Sequence, residues 1–346
     1  MDRRRFLNAA GAFAAAQLFP PLSARAQMPP LRFADMHSHI GLLGGSANVR
    51  QEMERNGMLV VARKIVADGP VIRMIPGKGI QQVRQPVPGQ LASVFDNRLE
   101  QMRAQHRAEG LVEIVSAEIL ERVLRERVPA VVLAAEGGDF LDGDIKRLEA
   151  VRALGLTHLQ LVHYRVSELG DISTERPVHG GLTPFGKEVV VACGRLGILV
   201  DVAHGTSAVI EQTLELATRP LIYSHGHVTS GEPFWTQSGI RARAIHKPLA
   251  LKIAQKGGVI GIWPLGSMYR SLAAYADALL ETADALGAEH VGVGSDYNGL
   301  PTTVIPSYVE FAQLADMLAK RSIRTADLEN ILGGNYLRVL RAAITV

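Results

Sequence analysis

From Leu31 onward, short apolar runs alternate with stretches whose apolar residues recur at helical spacing, a rhythm that predicts βα units rather than a β-sandwich. The runs predict strands over Arg32–Met36, Val131–Ala135, His158–Val162, Ile198–Ala203, Leu221–Ser224, Val259–Trp263 and Val291–Ser295. The periodic stretches predict helices over Gly186–Arg195, Ser207–Ala217 and Ala273–Leu286. A further strand-like run, GMLVVARKIVADG, leads into PVIRMIPGKGIQQVRQPVPG, so Gly57–Gly89 is expected to be a hairpin and loop excursion ahead of the helix that contains Leu99. Counting that run gives about eight strands, the number of a (β/α)8 barrel. No linker, composition shift or internal repeat divides the chain. The expectation is an α/β fold: one TIM-type barrel with a hairpin/loop excursion after strand 1 and a C-terminal helical tail from Ser307.

Composition narrows the function classes. Of 346 residues, 47% are hydrophobic and 21% charged, enough apolar material for a large core. The net charge of +3 comes from 37 basic and 34 acidic residues, with several arginines at the extreme N-terminus. No Lys/Arg stripe interleaved with aromatics occurs, so nucleic acid is not an expected partner. Cys193 is the only cysteine, which excludes an internal disulfide and a Cys-rich zinc module. Any metal must therefore be held by histidines and carboxylates. Cys193 itself lies in EVVVACGRLG, an apolar helix face with no base beside it to activate a thiol.

The first segment reads as an address. MDRRRFLNAAGAFAAAQLFPPLSARAQ combines a basic start, an Ala-rich apolar stretch and Ala24-Arg25-Ala26 before Gln27, the pattern of a cleaved signal peptide. Arg3-Arg4-Arg5-Phe6-Leu7 resembles the twin-arginine signal, which a receptor reads. Residues 1–26 are therefore expected to be removed near Ala26–Gln27, with 27–346 a single barrel domain, soluble in the periplasm. No later segment reaches about 18 uncharged apolar residues.

The ionisable residues fall in a pattern. His37 with His39, then Glu136, His163, His204, His225 and Asp296, each stand at the C-terminal end of a different predicted strand. In a barrel those ends converge on one face, where active sites are built. Singly, each has a bland alternative: Glu136 and Asp296 could cap turns, and a lone histidine is more often a hydrogen-bonded rim residue. Jointly they are hard to attribute to coincidence. Residues i and i+2 of a strand face the same side, so His37 and His39 are both expected to point into the mouth as metal ligands. Imidazoles with a shared glutamate suit zinc and suffice for two ions. His106, His158, His179, His246 and His290 lack this setting. There is no G-x-S-x-G elbow and no G-x-G-x-x-G after a strand, so serine hydrolase and dinucleotide chemistry are not expected.

DMHSH, AAEGGDF, LGLTHLQLVHYR, GGLTPFGKEVV, LGILVDVAH, PLIYSHG, QKGGVIGI, GVGSDYNG and ILGGNYLRVL follow one another at intervals that resemble the membrane (renal) dipeptidase family, metallopeptidase family M19, among the amidohydrolase-type barrels. The resemblance spans nearly all of the chain after the signal. It implies a dipeptidase-like hydrolase in which a hydroxide bridging two divalent ions attacks the carbonyl of a substrate with a free carboxylate. It makes His37 a ligand of one ion, Glu136 the bridge, and His204 and His225 ligands of the other. His163 is then placed beside the substrate carbonyl, Asp296 becomes the acid/base and Arg243, in preference to Arg241, the clamp on the substrate carboxylate. Small substrates are implied, dipeptides or N-acyl amino acids, and a homodimer is a family-level expectation. The chain departs from the family at His39, where aspartate is usual, and on its substrate loops at Tyr164, His227, Lys247 and Asn298. Two other readings are a lactonase or other amidohydrolase on the same site, and a non-catalytic exported metal- or peptide-binding protein.

Overall fold

In the computed structural model, which describes residues 33–42, 48–231 and 239–345, eight apolar runs pair side by side in chain order. They are β1 (Phe33–Ser38), β2 (Met58–Val66), β3 (Ala130–Glu136), β4 (Leu156–Gln160), β5 (Leu199–Asp201), β6 (Ile222–Thr229), β7 (Val259–Ile262) and β8 (Val291–Val293). Every neighbouring pair is parallel. The seam between β8 and β1 closes just beyond the strands, where Asp296 N donates to His37 O and His39 N donates to Tyr297 O, each at 2.9 Å. The result is a nearly closed parallel barrel. Its strands are buried on both faces, which is why β2 and β3 read as unbroken buried runs rather than alternating ones. The expected signal peptide, residues 1–26, lies outside the described residues.

The run expected to open the excursion is the second barrel strand, and the hairpin follows it: Ile72–Ile75 pairs antiparallel with Gly79–Gln82. The outer helices are set by ordinary local chemistry. In the helix Pro184–Leu196, Thr183 Oγ1 accepts from Gly186 N at 3.0 Å, proline fills the first turn, and Gly197 ends it at φ 70°. Cys193 is buried on that helix, and burial pushes its thiol up to about 12.

The C-terminal tail is the floor of the barrel. After helices Val309–Ala319 and Thr325–Glu329, the chain kinks at Gly333 within the LGGN stretch and enters the helix Asn335–Ile344. Tyr336, Leu337, Val339, Leu340 and Ile344 from that helix are buried with Ala34, Val60, Ala130, Leu199, Ile222 and Val259, residues at or near the N-terminal starts of six strands. Full burial of such a side chain contributes about 1.5–3 kcal/mol. Above them Met36 fills the axis: a Cβ at Gly292 would collide with it, so that strand position takes glycine. With the floor sealed, the C-terminal mouth is the open end.

Candidate metal centre

Each polar residue at the mouth is delivered by a specific local device. In β1, Asp35 pairs with Val61 but Ser38 with Arg63, three residues against two, so a bulge precedes His39 and re-aims the pair. The buried Asp35 carboxylate pins the bulge to the seam, accepting His37 N at 3.1 Å, Ser295 N at 2.9 Å and Tyr308 OH at 3.2 Å. Burial raises Asp35 to about 6, against those hydrogen bonds. Glu136 is the last residue of β3, and Gly137 turns the chain at φ 87°, where a Cβ would stand 2.6 Å from Asp139 Oδ2 and 3.1 Å from His163 Cβ. His204 and Asp296 have φ of 69° and 51°, a region other residues than glycine seldom adopt and one that recurs at functional sites.

A second carboxylate organises the opposite wall. Asp201 Oδ1 accepts Ala203 N and Ser224 N, each at 3.0 Å, and so fixes the backbone just before His204 and His225. Its Oδ2 accepts Lys64 Nζ at 2.8 Å. His158 Nε2 stands 3.3 Å from the same oxygen and 2.9 Å from Lys64 Nζ, and its Nδ1 is 3.3 Å from Tyr336 OH on the floor helix. All three side chains are fully buried. Burial first, then the charge of Lys64, pushes His158 down to about 3, so it stays neutral.

Five imidazoles converge on one carboxylate. Glu136 Oε1 lies 3.4 Å from His37 Nε2, 3.2 Å from His204 Nε2, and 3.5 Å from both His225 Nε2 and His163 Nε2. Its other oxygen, Oε2, lies 3.1 Å from His39 Nε2, which is also 3.2 Å from Asp296 Oδ1. Two donor sets share Glu136: His37 and His39 on one side, His204 and His225 on the other. Each of these residues is more than nine-tenths buried. Yet His37 Nε2 and both nitrogens of His204 make no hydrogen bond. Buried polar atoms are rarely left so without an ion or water in the design. Imidazole and carboxylate are the donors that hold zinc-like divalent cations, so the residues fit a metal centre.

The electrostatics agree. Burial lowers His37, His204 and His225 below the ordinary imidazole range, holding them in the neutral, ligating form. Burial works against the charge on Glu136, but the surrounding histidines, His163 and His37 foremost, hold it well below the usual carboxylate range. His39 differs. Burial opposes its charge too, but hydrogen bonds to Asp296 and Glu136 outweigh burial and raise it to about 10.

The remaining predicted residues gather around this centre. His163 and Tyr164 follow β4, with Tyr164 packed edge-on against His204 at 4.9 Å. Asp296 Oδ2 accepts Trp263 Nε1 at 3.1 Å. Arg243 is buried, its guanidinium touching His225 Nε2 and lying 5.3 Å from the Trp263 ring, with Nε and Nη1 unpartnered. Arg241 instead lines a cavity of about 430 Å³ bounded by Gly205, Thr206, His227 and Leu249, whose walls include none of the residues of the centre. Asp68, Lys64, Asp201 and Trp263 were not singled out from sequence.

Comparison with known proteins identifies the family and the fold. The family model described as membrane dipeptidase, peptidase family M19, matches residues 83–346. Dipeptidase tcpJ of Claviceps purpurea is 26% identical over 234 residues, 65% of this chain and 53% of that protein. Dipeptidase 3 of Homo sapiens is 28% identical over 233 residues, 61% of this chain and 44% of that protein. The chain thus spans about half the length of the curated relatives it matches. Among solved structures, dipeptidase AC, a metallo peptidase of family M19, superposes with a TM-score of 0.78 at 18% identity, covering 92% of this chain and all of that one (100%). A metallo peptidase from Rhodobacter sphaeroides, liganded with a phosphinate mimic of the dipeptide L-Ala-D-Ala, gives 0.78 at 18% identity over 91% of this chain and 99% of its own. At that identity the likeness establishes the fold.

Proposed function

Because the chain belongs to the membrane dipeptidase family, peptidase family M19, we propose that it is a metal-dependent dipeptidase, hydrolysing small amide or peptide bonds in substrates that carry a free carboxylate. The observation that carries this reading is the convergence of buried imidazoles on the single buried carboxylate of Glu136 at the open end of the barrel. The family and the donor sets imply a divalent cation; our reading is two, zinc by choice of donors. His37, His39 and Glu136 would hold one, and Glu136, His204 and His225 the other. Bound there, such cations supply Lewis-acid polarisation of the scissile carbonyl and water acidified to near neutrality.

The chain's own residues do the rest. Asp296 is anchored through Oδ2 by Trp263, which leaves Oδ1 facing the centre to take a proton from the attacking water and hand it to the leaving amine. His163 Nε2 lies 3.5 Å from Glu136 Oε1; burial opposes a charge on this ring, but Asp68 and Glu136 raise it above the ordinary imidazole range, and as an imidazolium it is our candidate for donating Nε2–H to the charge that develops on the carbonyl oxygen, a contribution of about 3–4 kcal/mol in comparable sites. Arg243 has two unpartnered donors in a buried setting, the form needed to clamp a carboxylate bidentately. Tyr164 walls the substrate side between His163 and His204.

We further propose that residues 1–26 direct export by the twin-arginine machinery, leaving 27–346 as one metallohydrolase domain in the periplasm, active on dipeptides or N-acyl amino acids and assembled as a homodimer. The Arg3-Arg4-Arg5-Phe6-Leu7 run supports the first part. Among the described residues, no helix is long and apolar enough to cross a membrane. The test of the activity is a panel of L,L- and L,D-dipeptides and N-acyl amino acids, assayed with metal added back after chelation. Turnover of at least one dipeptide class is expected. Turnover of lactones alone would overturn the dipeptidase reading.

A further inference from the structure

The five imidazoles around Glu136 differ in what stands behind them. His37 Nδ1 and His225 Nδ1 both meet the Ser224 hydroxyl, at 3.0 and 2.8 Å. His39 Nδ1 meets the Lys64 carbonyl at 3.2 Å, and His204 Nδ1 has no hydrogen-bond partner. Only His163 has a carboxylate: its Nδ1 lies 2.9 Å from Asp68 Oδ1 and 3.0 Å from Asp68 Oδ2. Oδ2 also accepts the Tyr164 amide at 3.1 Å.

The topology makes this meeting unavoidable. Glu136 at the end of β3 is in register with Val66 on β2 and with Gln160 on β4. Two residues past the first and three past the second, Asp68 and His163 close over the end of β3 from either side. Asp68 is wholly buried, so its charge needs a partner. The nearby Arg165 is engaged by Asp139 at 3.0 Å and by Glu168 at 2.7 Å, and Arg98 Nη1 donates to the Val66 carbonyl. Among the described ion pairs, the partner of Asp68 is His163.

We propose that Asp68 is the positioning residue for His163: by accepting the Nδ1 proton with both oxygens and the Tyr164 amide with one, it fixes the ring plane and aims Nε2 at the space over Glu136 where the substrate carbonyl reacts. This rests on the dipeptidase reading for its kinetic consequence but not for its geometry. A carboxylate behind a functional imidazole is a recurrent device, and its loss commonly lowers activity by about 10–100-fold. Asp68 touches no reacting atom. Its effect must pass through His163, and that distinguishes it from a residue that merely holds the loop.

Two measurements test it. In the first, Asp68→Asn, His163→Gln and the double variant are compared at equal metal content. Asp68→Asn is expected to lower kcat by about 10–100-fold with KM within about threefold, and to cost less than about twofold in kcat when His163 is already Gln. An undiminished kcat in Asp68→Asn, or the same loss in both backgrounds, overturns the proposal. In the second, which needs neither activity nor a folded variant at position 68, the wild-type chain is labelled with ¹⁵N-histidine and the His163 ring is identified by its loss in His163→Gln. A protonated Nδ1 is expected, and a bare Nδ1 overturns the proposal. If the wild-type chain cleaves no dipeptide, the functional reading falls while this second result still decides the role of Asp68.

Discussion

Lys64→Met would orphan the Asp201 carboxylate inside the barrel. At an effective dielectric of about 20, opposite charges at the 2.8 Å separation of Lys64 Nζ and Asp201 Oδ2 attract by about 6 kcal/mol before desolvation is subtracted. Breaking a buried pair from one side typically costs about 3–5 kcal/mol, because the remaining charge stays buried. Here the loss should fall near the lower end, since Asp201 keeps the Ala203 and Ser224 amides and has His158 Nε2 at 3.3 Å. For a chain of 346 residues, about 3 kcal/mol corresponds to a drop of about 4 °C in Tm.

The same cluster predicts how that loss depends on pH. In the wild type, His158 is held near 3, far below its unfolded value, so acid weakens the fold as the unfolded chain takes up a proton that the folded chain refuses. Removing Lys64 removes one of the three influences, after burial and ahead of His37, that hold His158 down. The variant's His158 can then charge beside Asp201, so its deficit shrinks as pH falls from about 8 to about 5. The assay is thermal unfolding by circular dichroism in chelator, where metal linkage cannot mask the difference. Lys64→Met with Asp201→Asn should cost about 2 kcal/mol less than the sum of the two single changes. A deficit under about 1 kcal/mol, or one that grows in acid, would refute the reasoning.

Three further outcomes are expected. Asp296→Asn should retain its metal but lose at least about 100-fold in kcat, as measured by metal analysis and turnover on one sample. Because His39, raised to about 10, must shed a proton before it can ligate, metal affinity should strengthen as pH rises towards 9; in His39→Asp a chelator competition should find that dependence flattened. Cys193, buried with its thiol pushed up to about 12, should resist a thiol-exchange reagent at pH 8 and react fully once the chain is unfolded by guanidinium.

The barrel and the centre were legible for one physical reason. Strands buried on both faces are written as apolar runs, and the first ionisable residues past such a run mark the mouth. His37, Glu136, His163, His204, His225 and Asp296 all follow this rule. What escaped lay inside the runs or just beyond them. Lys64 sits in mid-strand, where alternation sends it inward to Asp201 while Arg63 faces the other way, towards the Ile40 carbonyl and Gln105. Two adjacent cations in a wholly buried strand were the available signal. Asp201 lay inside the predicted strand Ile198–Ala203, and Asp68 near the end of the strand-like run GMLVVARKIVADG. The partners of both are about 95 to 137 residues away in sequence, beyond what periodicity carries. Similarly, a helical tail and a barrel floor have the same local pattern, and only the strand starts they cover tell them apart.

The most direct test of the central claim is a metal titration of chelated protein, following dipeptide hydrolysis and bound metal together. The account predicts no turnover without metal and activity that rises to a plateau at two equivalents per chain, with Glu136→Gln abolishing both. Full turnover in metal-free protein, or none on any dipeptide with two equivalents firmly bound, would contradict it.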